Sequence, residues 1–132
     1  MVYRLENRVA IVTGAAQGQG ASHVDRLARE GARVIATDVL DEQGEALAER
    51  HIAEGLQVVY QHLDVSSEED WSSVVAGIDP SWGAVDILVN NAGIGSATAV
   101  AEIGLDEWNR VVSINQTGIL LGMRAALPGM IA

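Results

Sequence analysis

The sequence predicts an α/β domain: a doubly wound parallel sheet with helices on both faces. Three observations predict it. Continuous apolar runs of strand length alternate with segments in which apolar residues recur every three or four positions. The runs end on turn-forming or acidic residues, at Thr13-Gly14, Asp38, Asp64 and Asn90-Asn91. The alternation continues along the chain with no Pro- or Ser-rich linker, repeat or low-complexity tract, so residues 1–132 read as one domain.

Val9-Ala10-Ile11-Val12 has the unbroken apolar character of a strand buried on both faces. Ala21, Val24, Leu27 and Ala28 follow at helical spacing, with Asp25, Arg26, Arg29 and Glu30 opposite them, and Gly31 stops this first helix. Arg33-Val34-Ile35-Ala36-Thr37 is the second strand. Gly44, Leu47, Ala48 and Ile52 mark the apolar face of a second helix, closed by Gly55. Val58-Val59-Tyr60-Gln61-His62-Leu63 is the third strand. Ser66 with Glu69 reads as a capping box for a third helix, whose stripe is Trp71, Val74, Val75 and Ile78. Glu68, Glu69 and Asp70 suit the positive end of that helix dipole. Pro80 and Gly83 break the chain before a fourth strand, Val85-Asp86-Ile87-Leu88-Val89. A long helix beginning near Asp106 places Trp108, Val111, Val112, Asn115, Gly118, Ile119 and Gly122 on one face. Trp71 and Trp108 are expected as core or subunit-contact aromatics. Right-handed crossovers between such units give a parallel sheet, with expected strand order 3-2-1-4, half of a Rossmann-type sheet.

Composition narrows function. Eighteen acidic against eight basic residues leave a formal charge of −10, with 48% hydrophobic and 20% charged residues, a profile of a folded domain. That balance disfavours nucleic acid, which needs a basic patch. Zero cysteines remove disulfides, thiolate nucleophiles and cysteine-based metal sites. His23, His51 and His62 lie on separate elements, so no metal site is expected. No apolar run approaches a membrane span, and Arg4, Glu6 and Arg8 argue against a secretory signal, so no membrane is expected and cytoplasm is the default location.

The first strand runs into Thr13-Gly14-Ala15-Ala16-Gln17-Gly18-Gln19-Gly20, which opens the first helix. Glycines there allow a tight turn, close backbone approach to a pyrophosphate and tight helix packing, while the helix N-terminus presents N–H groups to the phosphates. The plain alternative is an ordinary strand-to-helix turn. Asp38 follows the second strand near the offset of about 20 residues at which a carboxylate meets the adenosine ribose. Its plain alternatives are a solvated loop acid or a helix N-cap. A 2′-phosphate facing Asp38 at about 4 Å would cost ~4 kcal/mol at an effective dielectric of 20, before solvent relaxation. No arginine compensates, since position 17 is Gln and position 39 is Val. The cofactor expected is NAD(H) rather than NADP(H).

The spacing of Thr13, Gly14, Gly18 and Gly20 resembles the glycine loop of the short-chain dehydrogenase/reductase family. Asn90-Asn91-Ala92-Gly93 is similar to its second signature, Asp64-Val65 to its adenine-side motif and Asn115 to its helix asparagine. These motifs stand in family order over nearly the whole chain. Residues 20–24 and 38–42 look most like the bacterial hydroxysteroid dehydrogenase and 3-oxoacyl-carrier-protein reductase branches. The resemblance implies that Gly14, Gly18, Gln19 and Gly20, with Gln17 and Val39 beside them, surround the pyrophosphate and ribose side. It implies Asp38 on the adenosine ribose, Asp64 and Val65 at the adenine, and Asn91, Ala92 and Gly93 near the nicotinamide-side ribose. Asn115 would serve a proton relay through water to a lysine; the plain alternative is a helix-bending asparagine satisfied by neighbouring backbone. For the asparagine pair the alternative is simple turn chemistry. Gln19 departs from the family's usual aliphatic residue.

The family moves a hydride between nicotinamide and an alcohol or ketone, using a serine, a tyrosine and a lysine that follow the Asn115 helix. Here the eight basic residues are all arginines, and neither Tyr3 nor Tyr60 begins a Tyr-x-x-x-Lys. The expectation is a truncated sheet: a cofactor-binding half, incomplete on its C-terminal side and not catalytically competent alone. An uncovered fourth strand and last helix should then promote self-association into a homo-oligomer. Two further readings stay open: a non-catalytic nucleotide-binding or assembly module, and a methyltransferase, in which Asn90-Asn91-Ala92-Gly93 would have no role.

Overall fold

The computed structural model describes residues 2–132. Strands β1 (Val9–Thr13), β2 (Arg33–Asp38), β3 (Val58–His62) and β4 (Ile87–Val89) form one parallel sheet in the order β3-β2-β1-β4. Helices α1 (Gly18–Arg29), α2 (Asp41–Ala53) and α3 (Glu68–Ala76) alternate with the strands. After β4 the chain continues as α4 (Leu105–Val112), a π-helical segment (Ser113–Thr117) and α5 (Gly118–Ile131). This is the doubly wound arrangement expected from the alternating periods.

The sheet separates two apolar cores. On one face Ala10, Val12, Val34 and Ala36 pack against Val24 and Ala28 of α1 and Leu47 and Ala48 of α2. On the other, Val9, Ile11 and Ile35 meet Trp71 and Val74 of α3 and Leu121 and Ala126 of α5. Every residue of β1 is buried, which explains why its run shows no alternation: both faces lie in a core. Burying one such valine or isoleucine stabilises by about 1.5–3 kcal/mol relative to leaving it in water.

Several local expectations shift. The inner face of α2 is Gly44, Leu47, Ala48 and His51, while Ile52 is 57% exposed. His51 replaces it because its ring finds polar partners inside: Nδ1 lies 2.8 Å from the Leu47 carbonyl and Nε2 3.3 Å from Asp25. The cap of α3 is Ser67, whose hydroxyl accepts from the Asp70 N–H at 3.1 Å, one residue later than the Ser66–Glu69 pair expected. Ser66 instead donates to the Asp64 carboxylate. Regular pairing of β4 begins only at Ile87, because the Asp86 side chain takes the Val9 N–H at 2.8 Å where a strand carbonyl would otherwise do so.

The largest difference lies in the last helix. Its single expected face is interrupted at Ser113–Thr117, where the wider turn rotates α5 relative to α4. Gly118, Leu121, Gly122 and Ala126 are buried, but Trp108 is 54% exposed, Ile119 is exposed, and Val111 and Val112 are half-buried. Trp71 is a core aromatic and Trp108 is not. None of the described helices is long and apolar enough to cross a membrane.

Candidate functional site

A crevice of about 600 Å³ opens over the C-terminal ends of the strands. Where the strand order turns back on either side of β1 is the place at which open α/β sheets bind ligands.

Its floor is the turn from β1 into α1. Gly14 has φ +63°, and a Cβ there would stand 2.9 Å from Ala92 Cα. A Cβ on Gly20 would stand 2.0 Å from the Gly14 carbonyl oxygen, so the first turn of α1 rests directly on the loop. A Cβ on Gly18, by contrast, would meet nothing within 4 Å and faces open space. Gln17 precedes α1 in an extended conformation without a capping side chain, and the first turn holds no acidic residue. The first N–H groups of α1 therefore remain available to an anion.

The second wall is residues 38–40. One Asp38 oxygen accepts from Ala16 N at 3.0 Å; the other accepts from Val39 N at 2.7 Å and Leu40 N at 3.2 Å. This Asx turn anchors the carboxylate to both the glycine loop and its own backbone. An ionised carboxylate has about four acceptor sites, so capacity for a further donor remains.

The third wall follows β3. Asp64 Oδ1 accepts from Ser66 N at 2.9 Å and Ser66 Oγ at 2.7 Å, and these bonds hold its carboxyl below the usual range. The Val65 carbonyl accepts the Trp71 indole N–H at 2.9 Å, fixing this wall to the lower core.

Residues 90–94 close the crevice beyond β4. Asn91 N and Ala92 N both donate to Thr13 Oγ1 at 3.0 Å, and Asn91 Nδ2 donates to the carbonyls of Thr13 at 3.1 Å and Gly14 at 3.2 Å. Asn115 forms a two-point clamp on the next residue: Oδ1 accepts from Ile94 N at 2.8 Å and Nδ2 donates to Ile94 O at 2.7 Å. Its amide is satisfied by backbone distant in sequence rather than by its own helix. The π-helical segment carries Asn115 at its centre and presents it to that loop.

The structure thus brings Gly14, Gln17, Gly18, Asp38, Val39, Asp64, Val65, Asn91, Ala92 and Gly93 onto one crevice. Gln19, Gly20 and Asn115 do not line it; Gly20 and Asn115 act beneath it through packing and hydrogen bonds. Leu40, Leu63, Ser66, Ile94, Arg110, Ser113 and Ile114 complete the walls and are not among the site residues expected from the sequence. Leu63 and Ser66 flank an identified motif and could have been inferred from it. Arg110, Ser113 and Ile114 could not, because the wide turn after α4 decides which side of the helix faces the crevice.

Comparison with known proteins agrees with this geometry. Residues 8–132 match the family model described as short chain dehydrogenase. The chain is 44% identical to trans-4-hydroxycyclohexanecarboxylate dehydrogenase of Sinomonas cyclohexanicum, over 96% of this chain and 51% of that protein. It is 41% identical to 3-alpha-(or 20-beta)-hydroxysteroid dehydrogenase of Mycobacterium tuberculosis, over 96% and 48%. A solved structure of a short-chain dehydrogenase/reductase, glucose/ribitol dehydrogenase, from Brucella melitensis superposes with a TM-score of 0.90 at 32% identity, covering 98% of this chain and 54% of that one. The chain spans about half the length of the curated relatives it matches. With four strands in this order, a glycine loop beneath one crevice and a family match from residue 8 onward, the chain belongs to the short chain dehydrogenase family.

Proposed function

We propose that the chain is the NAD(H)-binding half of an oxidoreductase that interconverts an alcohol and a ketone. The observation that carries the cofactor reading is Asp38: a carboxylate fixed on the crevice wall by three backbone donors, with Gln17 and Val39 rather than a cation beside it. Such an acid accepts from ribose hydroxyls and repels a 2′-phosphate.

The residues present suit a dinucleotide. The floor left clear at Gly18 and the free N–H groups of α1 would hold the pyrophosphate, with Gly14 and Gly20 keeping the backbone close and Gln19 contributing its N–H. Asp38 would hold the adenosine ribose, and Asp64 and Val65 the adenine. Residues 91–93 would border the nicotinamide ribose, and Asn115 would position that loop through Ile94. When bound, the nicotinamide supplies the hydride-accepting or hydride-donating carbon. The family's proton-transfer tyrosine and lysine have no counterpart in this stretch, so turnover is a property we assign to the family's complete domain and not to residues 1–132 alone. The relatives' names support a substrate class, since one describes a hydroxyl on a cyclohexane ring and the other a hydroxyl on a steroid. Assembly of copies through the exposed Leu120, Met123 and Leu127 of α5, in the cytoplasm where the soluble cofactor pool resides, belongs to the same reading.

Titration calorimetry with NADH and NADPH tests it. The expected outcome is at least about tenfold tighter binding of NADH, corresponding to ~1.4 kcal/mol. Replacing Asp38 with Ser and Val39 with Arg should move the ratio by about tenfold or more toward NADPH. Equal affinities before and after the exchange would remove Asp38 from this role. A non-catalytic nucleotide-binding module is the reading left if the dinucleotide binds but the full-length protein turns over no cyclic alcohol.

A further inference from the structure

The dinucleotide reading uses Asp38 and Asp64 but leaves unexplained a chain of polar groups joining the walls that carry them. Asp38 and His62 are paired neighbours at the ends of β2 and β3. Asp41, the first residue of α2, follows the wall of residues 38–40. Asp70 of α3 accepts the Asp64 N–H at 2.8 Å and so anchors the opposite wall. His62 stands between them, with Nδ1 2.8 Å from Asp41 Oδ1 and Nε2 3.7 Å from Asp70 Oδ2. Tyr60 reinforces the first connection. Its hydroxyl lies 2.7 Å from the Asp38 carbonyl and 2.6 Å from Asp41 Oδ1, and its ring fills the space left by the missing side chain of Gly44.

We propose that His62 bridges the two adenosine-side walls of the crevice, and that its protonation state sets how tightly the chain holds a dinucleotide. The inference rests on the NAD(H) reading and adds a positioning residue to it.

The geometry supplies the reason. Both ring nitrogens face carboxylates, and only the imidazolium carries a proton on each. The Nδ1 contact is a charge-assisted hydrogen bond; the Nε2 contact, at 3.7 Å, is an ion pair without one. The charged groups facing the ring are Asp41 from α2, Asp70 from α3 and Asp64 from the segment after β3. Asp41 raises the imidazole above its ordinary value, chiefly through the hydrogen bond, with burial opposing and the charges of Asp41, Asp70 and Asp64 assisting. The sign follows: the bridge is complete at and below the ordinary histidine value and is lost as pH rises through the raised one. Once His62 is neutral, acidic groups on opposite walls are left uncompensated and the walls separate more easily. Loss of the positive charge also disfavours an anionic ligand, so both effects have one direction. Because the ring is half exposed, the consequence is a modulation of affinity and not an on–off switch.

The test is calorimetric titration of the chain with NAD+ at pH 6, 7, 8 and 9, for the wild type, His62→Gln and Asp70→Asn. The wild-type dissociation constant should rise about threefold to tenfold across this range as His62 loses its proton. His62→Gln should be flat at the wild-type high-pH level. Asp70→Asn, which keeps an acceptor for Asp64 N, should show a reduced slope. The His62 imidazole resonance should titrate above about 6.5 and move upward when NAD+ is added. Equal slopes in wild type and His62→Gln, or no upward movement of that resonance, would overturn the bridge while leaving the cofactor reading standing. Absence of NAD+ binding to wild type and variants at every pH would overturn the cofactor reading and this inference together.

Discussion

The two sides of β1 are joined to their neighbours by different means. Toward β2 the connection is chiefly backbone and apolar packing, with register pairs running from Val9 with Arg33 to Thr13 with Thr37. The side-chain bonds of Thr37 to the Val12 carbonyl and of Asp38 to Ala16 N add to an already continuous ladder. Toward β4 only Ala10, Ile11 and Val12 are in register. Beyond these pairs and one backbone bond from Asp86 N to the Val9 carbonyl, the connection is made by individual polar side chains: Asp86 on Val9 N, Thr13 on the N–H groups of Asn91 and Ala92, and Asn91 on the carbonyls of Thr13 and Gly14. Stability on the first side is spread over many small contributions. On the second side it is concentrated, so single substitutions there should have larger consequences for the crevice.

Trp71 gives the largest expected effect. It is 2% exposed, its ring fills the space beside Gly122, and its indole N–H bonds the Val65 carbonyl. Trp71→Ala should cost about 3–5 kcal/mol in urea unfolding, through lost burial plus the cavity left behind. Trp71→Phe retains much of the ring and removes the donor, so about 1–2 kcal/mol is expected. If both variants lose the same stability, the hydrogen bond to the Val65 wall rather than the packing against α5 holds Trp71's share of the lower core.

Two threonines at equivalent register positions sharpen the contrast. Thr13 Oγ1 accepts two N–H groups from the β4 side, whereas Thr37 Oγ1 donates at 3.0 Å to the Val12 carbonyl, which belongs to the β1–β2 ladder. Thr13→Val leaves the Ala92 N–H without its acceptor and the Asn91 N–H with the Val89 carbonyl alone, and should cost about 1–3 kcal/mol. Thr37→Val takes one donor from a carbonyl and should cost about 1 kcal/mol. Amide hydrogen exchange at Asn91 and Ala92 should accelerate in the first variant only. The reverse order of stabilities would mean that the two sides of β1 do not differ in this way.

The same division explains what could be read from residues alone. β1, β2 and the glycine loop follow from pattern, because strands buried on both faces must be continuously apolar and a turn with φ +63° against another backbone calls for glycine. Asp38 could be placed on the crevice, but the three N–H groups that orient it depend on how the glycine loop folds back. Asn91 and Asn115 stand out as asparagines in sequence. Their partners, Thr13 with Gly14 and Ile94, are set by tertiary approach and leave no periodic trace. The π-helical turn at Ser113–Thr117 is likewise a response to packing, and it moved Arg110, Ser113 and Ile114 onto the crevice.

The smallest expected effect tests the one face of the α1–α2 side that pattern reading misplaced. Gly44, Leu47 and Ala48 are compatible with either His51 or Ile52 completing the stripe, since i+7 and i+8 both return to the same side of a helix. Hydrophobicity favours Ile52, yet the ring of His51 is the side chain turned inward, held by the Leu47 carbonyl and Asp25. Ile52, at 57% exposure, contributes little to the core. Ile52→Gln should therefore change unfolding free energy by no more than about 0.5 kcal/mol, the range of surface substitutions. A loss above about 1.5 kcal/mol would correspond instead to burial of most of an isoleucine side chain. It would place Ile52 in the core and His51 outside, and would extend to this side of β1 the dependence on individual residues found toward β4.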